Sequence, residues 1–257
     1  MIIFVVENYS MISYPNAKIN IGLDILSKRD DGYHNISSVF YPVMSLTDIL
    51  EIKKSNDFIF TSSGKKIDNN NICVKAFNLF KKEFDISNVK IHLHKRIPIY
   101  SGLGGGSSDA SFTLKMLNDL FNLNLTNEQL KFYALMIGAD CPFFIENKPM
   151  LVEGVGEKLK NIKLNLDAYD IKVYSSDIKV STVEAYSLIK SFKVSNLGHN
   201  IKKHINTWQE NIFNNFEEPI FQLYPKLKEK KRKIIEDGAL YCSMSGTGSS
   251  IYAIYKK

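Results

Sequence analysis

Hydrophobic residues change their spacing several times along the chain, and each spacing predicts a different kind of element. In the first third, apolar positions alternate with polar ones or run together between turn residues, which is typical of strands. We predict strands in AKINIGLDIL (17–26), SVFYPV (38–43), DILEIKK (48–54), FIFTSS (58–63) and VKIHLHKRIP (89–98). NNICVKAFNLFKKEF (70–84) predicts a helix instead, because Ile72, Ala76 and Phe80 fall on one helical face.

Helical spacing returns after the glycine-rich stretch that ends near residue 106. Ala110, Leu114 and Leu117 share one face of an amphipathic helix. TNEQLKFYALMIG (126–138) predicts a second helix, with a threonine at its N-cap position and a glycine at its end. MLVEGVGEKLKNI (150–162) predicts a strand, a glycine turn and another strand.

From about residue 165 the alternation of strand and helix starts again. YDIKVYSS predicts a strand, TVEAYSLIKSF a helix, and ALYCSMSGTGSSIYAIYKK further structure around a turn. We therefore predict an α+β protein with two domains, a larger one at 1–160 and a smaller one at 161–257. The first ten residues, MIIFVVENYS, are predicted to be a first strand or a short N-terminal extension.

Composition narrows the class of protein. Of the 257 residues, 44% are hydrophobic and 23% are charged, as in ordinary globular chains, and the net charge of +6 suits anionic small molecules as well as nucleic acid. The basic run KLKEKKRK (226–233) is typical of a solvated helix face. Aromatic residues are not interleaved with arginines as in RNA-binding surfaces, so we expect no nucleic-acid partner.

The cysteines indicate the compartment. Cys73, Cys141 and Cys242 are far apart and odd in number, which argues against a disulfide framework or a zinc site and favours a reducing compartment. The apolar start is too short for a signal peptide or a membrane span, so we expect a cytoplasmic protein with no membrane partner. We expect a monomer or a homodimer.

The stretch IYSGLGGGSSDAS (99–111) predicts a phosphate-binding loop. It lacks the lysine of the Walker A motif, and a serine replaces the third glycine of the dinucleotide fingerprint. Even so, its glycines leave backbone N–H groups uncovered, and the helix that follows adds a partial positive charge and unpaired donors. Two serines at the start of that helix supply hydroxyl groups. The alternative is a structural turn with a serine cap.

Three further stretches carry candidate chemistry. Lys18 and Asn20 share a strand face if 17–23 is extended, and a buried lysine needs a partner. Asp140, in GADCPFF (138–144), is either a turn residue or a functional carboxylate. SMSGTGSSIYAIY (243–255) is a second turn compatible with phosphate. His92 and His94 have no third ligand nearby in the sequence, and no carboxylate cluster predicts a metal cage, so we name no metal residues.

In this order, PNAKINIGLDI, IPIYSGLGGGSSDAS, GADCPFF and SGTGSS resemble the motifs of the GHMP kinase superfamily, which includes galactokinase, homoserine kinase and mevalonate kinase. RDDGYH, GADCPFF and EGVGE (153–157) are similar to one branch of it, whose acceptor is an alcohol that carries a cytidyl group. The resemblance implies a small-molecule kinase that uses ATP and Mg²⁺. Another member, of the homoserine or mevalonate type, and a nucleotide- or RNA-binding module are the alternatives.

The resemblance also implies a role for individual residues. Asp140 would be the general base on the acceptor hydroxyl, and Lys18 would pair with it and with the transferred phosphate. The residues that would hold ATP are Gly102, Leu103, Gly104, Gly105, Gly106, Ser107 and Ser108 at its phosphates, with Asn71 and Lys95 near the adenosine. The residues that would hold the cytidyl substrate are Asn20, Tyr33, His34, Tyr186, Gly246, Thr247 and Gly248.

The implied architecture is a two-lobed GHMP kinase fold. Its N-terminal lobe would be similar to ribosomal protein S5, its smaller C-terminal lobe would also be α+β, and the site would lie in the cleft between them.

Overall fold

The computed structural model describes residues 10–68, 71–192 and 194–257. The strands are β1 (Ser10–Ser13), β2 (Asn16–Lys28), β3 (His34–Thr47), β4 (Ile49–Lys54), β5 (Ile59–Gly64), β6 (Val89–Lys95), β7 (Met150–Gly154), β8 (Lys158–Asn161), β9 (Tyr169–Tyr174), β10 (Tyr241–Met244) and β11 (Ile251–Lys256). The helices are α1 (Ile72–Phe84), α2 (Gly105–Leu120), α3 (Asn127–Ile137), α4 (Cys141–Glu146), α5 (Thr182–Ser187), α6 (Leu197–Asn200), α7 (Trp208–Asn211), α8 (Glu217–Leu223) and α9 (Pro225–Glu236), with a 3-10 turn at Ile205–Thr207.

These elements confirm most of the predicted ones. The five strands and the helix predicted in the first third correspond to β2 to β6 and α1, and the mixed α+β class is confirmed. The helix predicted from TVEAYSLIKSF is wrong in its length. It ends at Ser187, because the N–H groups of Leu188 and Ile189 bond to carbonyls only three residues back and so tighten the last turn. The element predicted for the first ten residues lies, except for Ser10, outside the described residues.

The described chain forms two compact units, each built from several stretches of sequence. Unit 1 comprises the described residues up to Ala17 together with Met44–Ile99 and Gly105–Asn147, and unit 2 comprises Lys18–Val43, Tyr100–Gly104 and Lys148–Lys257. Because these stretches interleave, the predicted boundary between domains at residue 160 stays a prediction.

Unit 1 contains a four-stranded sheet in the order β1-β4-β6-β5, in which β5 runs parallel to β6. Side chains of β4 and β6 pack against α1 and α2, with Leu50 and Ile91 meeting Phe77 and Leu114 in one apolar cluster. Inward positions of β6 alternate regularly from Val89, and this alternation ends with Lys95 on the buried side. The strand pattern therefore carries a charged side chain into the interior.

Unit 2 contains the sheet β2-β3-β7-β8 and the sheet β10-β11-β9. Its apolar core joins Leu23 and Ile25 of β2 to Ile220 of α8 and Ile251 of β11. Trp208, the first residue of α7, is buried, and its indole N–H donates to the Lys203 carbonyl at 3.0 Å. Among the described residues, no helix combines the length and apolarity that crossing a membrane requires.

Candidate active site

Lys18 and Asn20 lie on one face of β2, as predicted, and both are buried, with 3% and 1% of their surface exposed. The Lys18 ammonium donates to Asn20 Oδ1 at 2.6 Å and to the Gly102 carbonyl at 3.2 Å. Its Nζ also lies 4.5 Å from the centre of the Phe40 ring. The Asn20 amide is fixed in turn, because Nδ2 donates to Ser38 Oγ at 2.9 Å. The strand thus presents a buried cation that is tied to the glycine loop.

Gly102 joins this cation to a second turn of unit 2. Its φ of +74° favours glycine, and a Cβ here would lie 1.9 Å from the carbonyl oxygen of Ser245. Ser245 Oγ donates to the Gly102 carbonyl at 2.8 Å, and the N–H of Ser250 donates to the Ser101 carbonyl at 3.2 Å. The next residue, Leu103, accepts the backbone N–H of Lys18 at 2.9 Å.

The predicted turn at Gly246, Thr247 and Gly248 lies against these residues. A Cβ on Gly246 would lie 3.3 Å from Gly102 Cα and 3.4 Å from Asn20 Oδ1. Asn214 Nδ2 holds the turn from behind, donating to the carbonyls of Met244 and Gly246 at 2.8 Å each. The structure therefore brings Lys18, Asn20, Gly102 and Gly246 together, as the motifs suggested. Ser245, Ser38 and Asn214 were missed by sequence reasoning, and only Ser245 lay in a quoted motif.

The remaining part of the glycine loop starts α2 in unit 1. Helix α2 begins at Gly105, so the backbone N–H groups of its first turn have no partner within the helix. Ser108 is fully buried, and its Oγ has no hydrogen-bond partner among the described residues. A buried hydroxyl without a partner, at a helix start whose first N–H groups have no partner within the helix, fits a phosphate group of ATP.

Lys95, predicted near the adenosine, lies between two carboxylates. Its Nζ is 2.5 Å from Asp48 Oδ2 and 2.6 Å from Asp109 Oδ2, and all three side chains are buried. Burial alone lowers the pKa of Lys95, but the carboxylates of Asp109 and Asp48 outweigh it and hold that pKa above its usual value. Burial also raises the pKa of Asp109 well above its ordinary range. Sequence reasoning missed both aspartates, and a contact of Lys95 with the nucleotide stays a prediction.

Asn71 and Asp140 both lie at helix starts of unit 1. Asn71 caps α1, its Oδ1 accepting from the N–H of Cys73 at 2.9 Å, and its contact with adenosine stays a prediction. Asp140 immediately precedes α4, but its side chain makes no capping hydrogen bond to that helix. The helix is held instead from α2, since Ser111 Oγ donates to the Cys141 carbonyl at 2.7 Å. The carboxylate of Asp140 is therefore not used to cap the helix it precedes.

Aromatic residues predicted at the cytidyl end meet in unit 2. The rings of His34 and Tyr186 stack with centroids 4.9 Å apart and an angle of 27° between them. Phe192, which the sequence did not single out, lies 6.2 Å from His34. Tyr33 is 65% exposed. Burial lowers the pKa of His34, and the charge of Lys28 adds to this effect, so the imidazole is neutral at pH 7.

In the described ranges, no group of three or more His, Cys, Asp or Glu side chains is arranged to hold a metal ion. The His92 ring lies within hydrogen-bonding distance of Thr61 Oγ1, at 2.8 Å, and of Ser63 Oγ, at 3.0 Å. His94 Nδ1 is 2.9 Å from the same Ser63 hydroxyl, so both histidines belong to a hydroxyl network on β5 and β6.

Comparisons with known proteins identify the family of this chain. The chain matches the family described as GHMP kinases N terminal domain over residues 71–148 and the family described as GHMP kinases C terminal over residues 193–257. It is 44% identical over 252 residues to a 4-diphosphocytidyl-2-C-methyl-D-erythritol kinase from Azobacteroides pseudotrichonymphae, covering 96% of this chain and 94% of the relative. It is 46% identical over 254 residues to the protein of the same name from Bacteroides thetaiotaomicron, covering 96% and 92%.

Solved structures show the same relationship. A crystal structure of 4-(cytidine 5'-diphospho)-2C-methyl-D-erythritol kinase matches with a TM-score of 0.84 and 30% identity, covering 95% of this chain and 90% of that one. A homoserine kinase from Cytophaga hutchinsonii matches with a TM-score of 0.76 and 18% identity over 100% and 88% of the two chains, which shows a shared fold alone.

Proposed function

Since this chain belongs to the GHMP kinase family, we propose that it transfers the γ-phosphoryl group of ATP to the 2-hydroxyl of 4-diphosphocytidyl-2-C-methyl-D-erythritol, in non-mevalonate isoprenoid biosynthesis. The observation that carries this proposal is the buried ammonium of Lys18, which donates to Asn20 Oδ1 and to the carbonyl of Gly102 in the glycine loop. A cation fixed to a phosphate-binding loop suits the stabilisation of a phosphoryl group in transfer.

The residues would divide the chemistry as follows. The acceptor oxygen attacks the γ-phosphorus, the bond from that phosphorus to the ADP oxygen breaks, and the hydroxyl proton passes to the carboxylate of Asp140. Lys18 would stabilise the negative charge on the transferred group, and Asn20 would hold the hydroxyl in line. Because phosphoryl transfer needs little covalent help, positioning and charge neutralisation supply most of the rate.

ATP would be held by the loop from Gly102 to the first turn of α2. The fit rests on the N–H groups of that turn, which have no partner within the helix, and on the buried hydroxyl of Ser108, which has no partner among the described residues. When bound with ATP, Mg²⁺ would neutralise phosphate charge. It would keep mostly water and phosphate ligands, and the unpartnered Ser108 Oγ could serve as a protein ligand.

The stacked pair of His34 and Tyr186 would hold the cytosine. Stacking of a base on an aromatic ring contributes about 1–3 kcal/mol in nucleic-acid systems. The exposed ring of Tyr33 is available to a ligand, which supports its assignment to the same base. We further propose that the protein acts in the cytoplasm as a monomer or homodimer, on small molecules.

A substrate panel tests the proposal. ADP release is measured with ATP and, separately, the cytidyl-methylerythritol substrate, mevalonate and homoserine. We expect turnover with the cytidyl compound alone. Turnover with mevalonate or homoserine in its place would overturn the choice of acceptor, and tight RNA binding without ATP turnover would overturn the assignment as a kinase.

A further inference from the structure

One buried group of unit 1 has no part in the chemistry above. Lys95, Asp48 and Asp109, here called the buried ion cluster, are 4%, 0% and 1% exposed. Lys95 Nζ binds Oδ2 of both aspartates, at 2.5 Å and 2.6 Å. One oxygen of Asp109, Oδ1, is buried without a hydrogen-bond partner in the part of the chain that the structure describes.

The buried ion cluster is costly, so stability alone does not account for it. Removing each charge from water costs several kcal/mol, and well-packed apolar residues of similar size are often as stabilising or more so. The other contacts of the two aspartates show which parts of the chain the cluster connects. Asp48 Oδ1 accepts the backbone N–H groups of Arg96 and Ile97, at 2.5 Å and 2.8 Å, where the chain leaves β6 for the glycine loop. Asp109 lies on α2, directly after Ser108.

Lys95 also approaches the first turn of α2 very closely. A Cβ on Gly105 would lie 3.0 Å from Lys95 Nζ and 2.7 Å from Ile97 Cγ2. Gly105 does not have a positive φ, so it is not needed there for a left-handed conformation. The absence of a side chain instead leaves room for the ammonium next to the first residue of α2, where a Cβ would lie 3.0 Å from Lys95 Nζ.

We propose that Lys95 is a positioning residue, which binds Asp48 and Asp109 and thereby fixes the first turn of α2, and with it the Ser108 hydroxyl, in the geometry that receives the phosphates of ATP. The inference rests on the proposed function only in taking ATP as the ligand. It differs from a direct contact between Lys95 and the adenosine, because it requires Lys95 to order this turn before any nucleotide binds.

The test compares Lys95→Met with Lys131→Met in the full chain. Lys131 is a matched control, since its ammonium also pairs with two carboxylates, Glu128 at 2.5 Å and Glu146 at 3.3 Å, away from the loop. The first readout is hydrogen exchange without nucleotide at the amides of 109–112, whose N–H groups bond to the carbonyls of the first turn. The second is the Kd for adenylyl imidodiphosphate by calorimetry.

For Lys95→Met we expect exchange at 109–112 at least about tenfold faster and a Kd raised about tenfold, which corresponds to about 1.4 kcal/mol. Lys131→Met should change neither, although both variants lower Tm. Unchanged exchange with a raised Kd would overturn the proposal in favour of direct nucleotide contact. Unchanged values of both would overturn any role toward ATP.

Asp109→Asn keeps the pair of Lys95 with Asp48 and covers the case in which Lys95→Met does not fold. We expect the same two changes at smaller size, about threefold each, with the KM for the acceptor within twofold of the wild-type value; their absence would overturn the proposal. Neither readout depends on the acceptor. A wild-type protein that binds the ATP analogue but does not phosphorylate the cytidyl compound would therefore refute the proposed function and leave this inference standing.

Discussion

Asn20→Ala removes one anchor of the Lys18 ammonium and so tests that anchor separately from the rest of the fold. The Asn20 side chain is 1% exposed, and its Oδ1 accepts Lys18 Nζ at 2.6 Å while its Nδ2 donates to Ser38 Oγ at 2.9 Å. Ser38 Oγ also donates to the Gly22 carbonyl, at 2.7 Å, and this bond does not involve the Asn20 side chain. The main loss is therefore the acceptor of a buried ammonium.

The size of the effect follows from those two bonds. A hydrogen bond to a charged group contributes about 1.5–3 kcal/mol and a neutral one about 0.5–1.5 kcal/mol, so the free energy of unfolding should fall by about 2–4 kcal/mol. At about 2–4 °C per kcal/mol, Tm should fall by roughly 4–16 °C. Because misplacement of a reacting group by about 1 Å costs about 10²-fold, kcat should fall by a similar factor while the Kd for ATP changes little.

Thermal unfolding and steady-state ADP release measure both quantities on the same preparation. Asn200→Ala is the matched control, because it removes an amide that donates to the Asn211 carbonyl at 2.9 Å in the same unit. It should cost about 1 kcal/mol and leave kcat unchanged. If Asn20→Ala kept kcat within threefold of wild type, the claim that Asn20 positions Lys18 would be refuted, whatever happened to Tm.

Three further changes test other parts of the account. Gly102→Ala should abolish folding or lower Tm far more than Gly238→Ala. A Cβ on Gly102 would lie 1.9 Å from a carbonyl oxygen, whereas Gly238 has a φ of +92° and open space around the position of a Cβ. Equal effects of the two changes on Tm would contradict the close approach at Gly102. Burial raises the pKa of Cys141 and of Cys242 to about 12, so both thiols should resist Ellman's reagent at pH 8 and react only on unfolding, which a thiol titration with and without urea checks. Asp140→Asn should remove turnover and leave the Kd for ATP within a few-fold, because the amide keeps the shape of the side chain but cannot accept the hydroxyl proton; near-normal kcat would reject it as the base.

Local pattern made much of the fold predictable. Helix α3 begins after a threonine N-cap and ends before a glycine, as expected, and it has a capping box at its start. The alternation of β2 put Lys18 and Asn20 on one face, and the structure joins them by a hydrogen bond. The glycines before α2 predicted a phosphate-compatible helix start, and the unpartnered Ser108 hydroxyl fits it.

Residues that act through distant contacts were not predictable in this way. Ser245 and Gly102 meet across 143 positions of sequence, and Lys95 and Asp48 across 47. A single sequence shows period and local chemistry, but it does not show which loop lies opposite which. The strand pattern of β6 does put Lys95 on the apolar face, and a charge at such a position is the signal that could have predicted buried partners.

Phosphorus NMR of the reaction of ATP with 4-diphosphocytidyl-2-C-methyl-D-erythritol tests the central claim most directly. The account predicts that the γ-phosphorus signal of ATP is replaced by the signals of ADP and of one new phosphomonoester on the acceptor, whose diphosphate signals persist. Lys18→Met and Asp140→Asn should each prevent that new signal. Release of inorganic phosphate without a phosphomonoester, or a phosphomonoester formed equally well by both variants, would contradict the account.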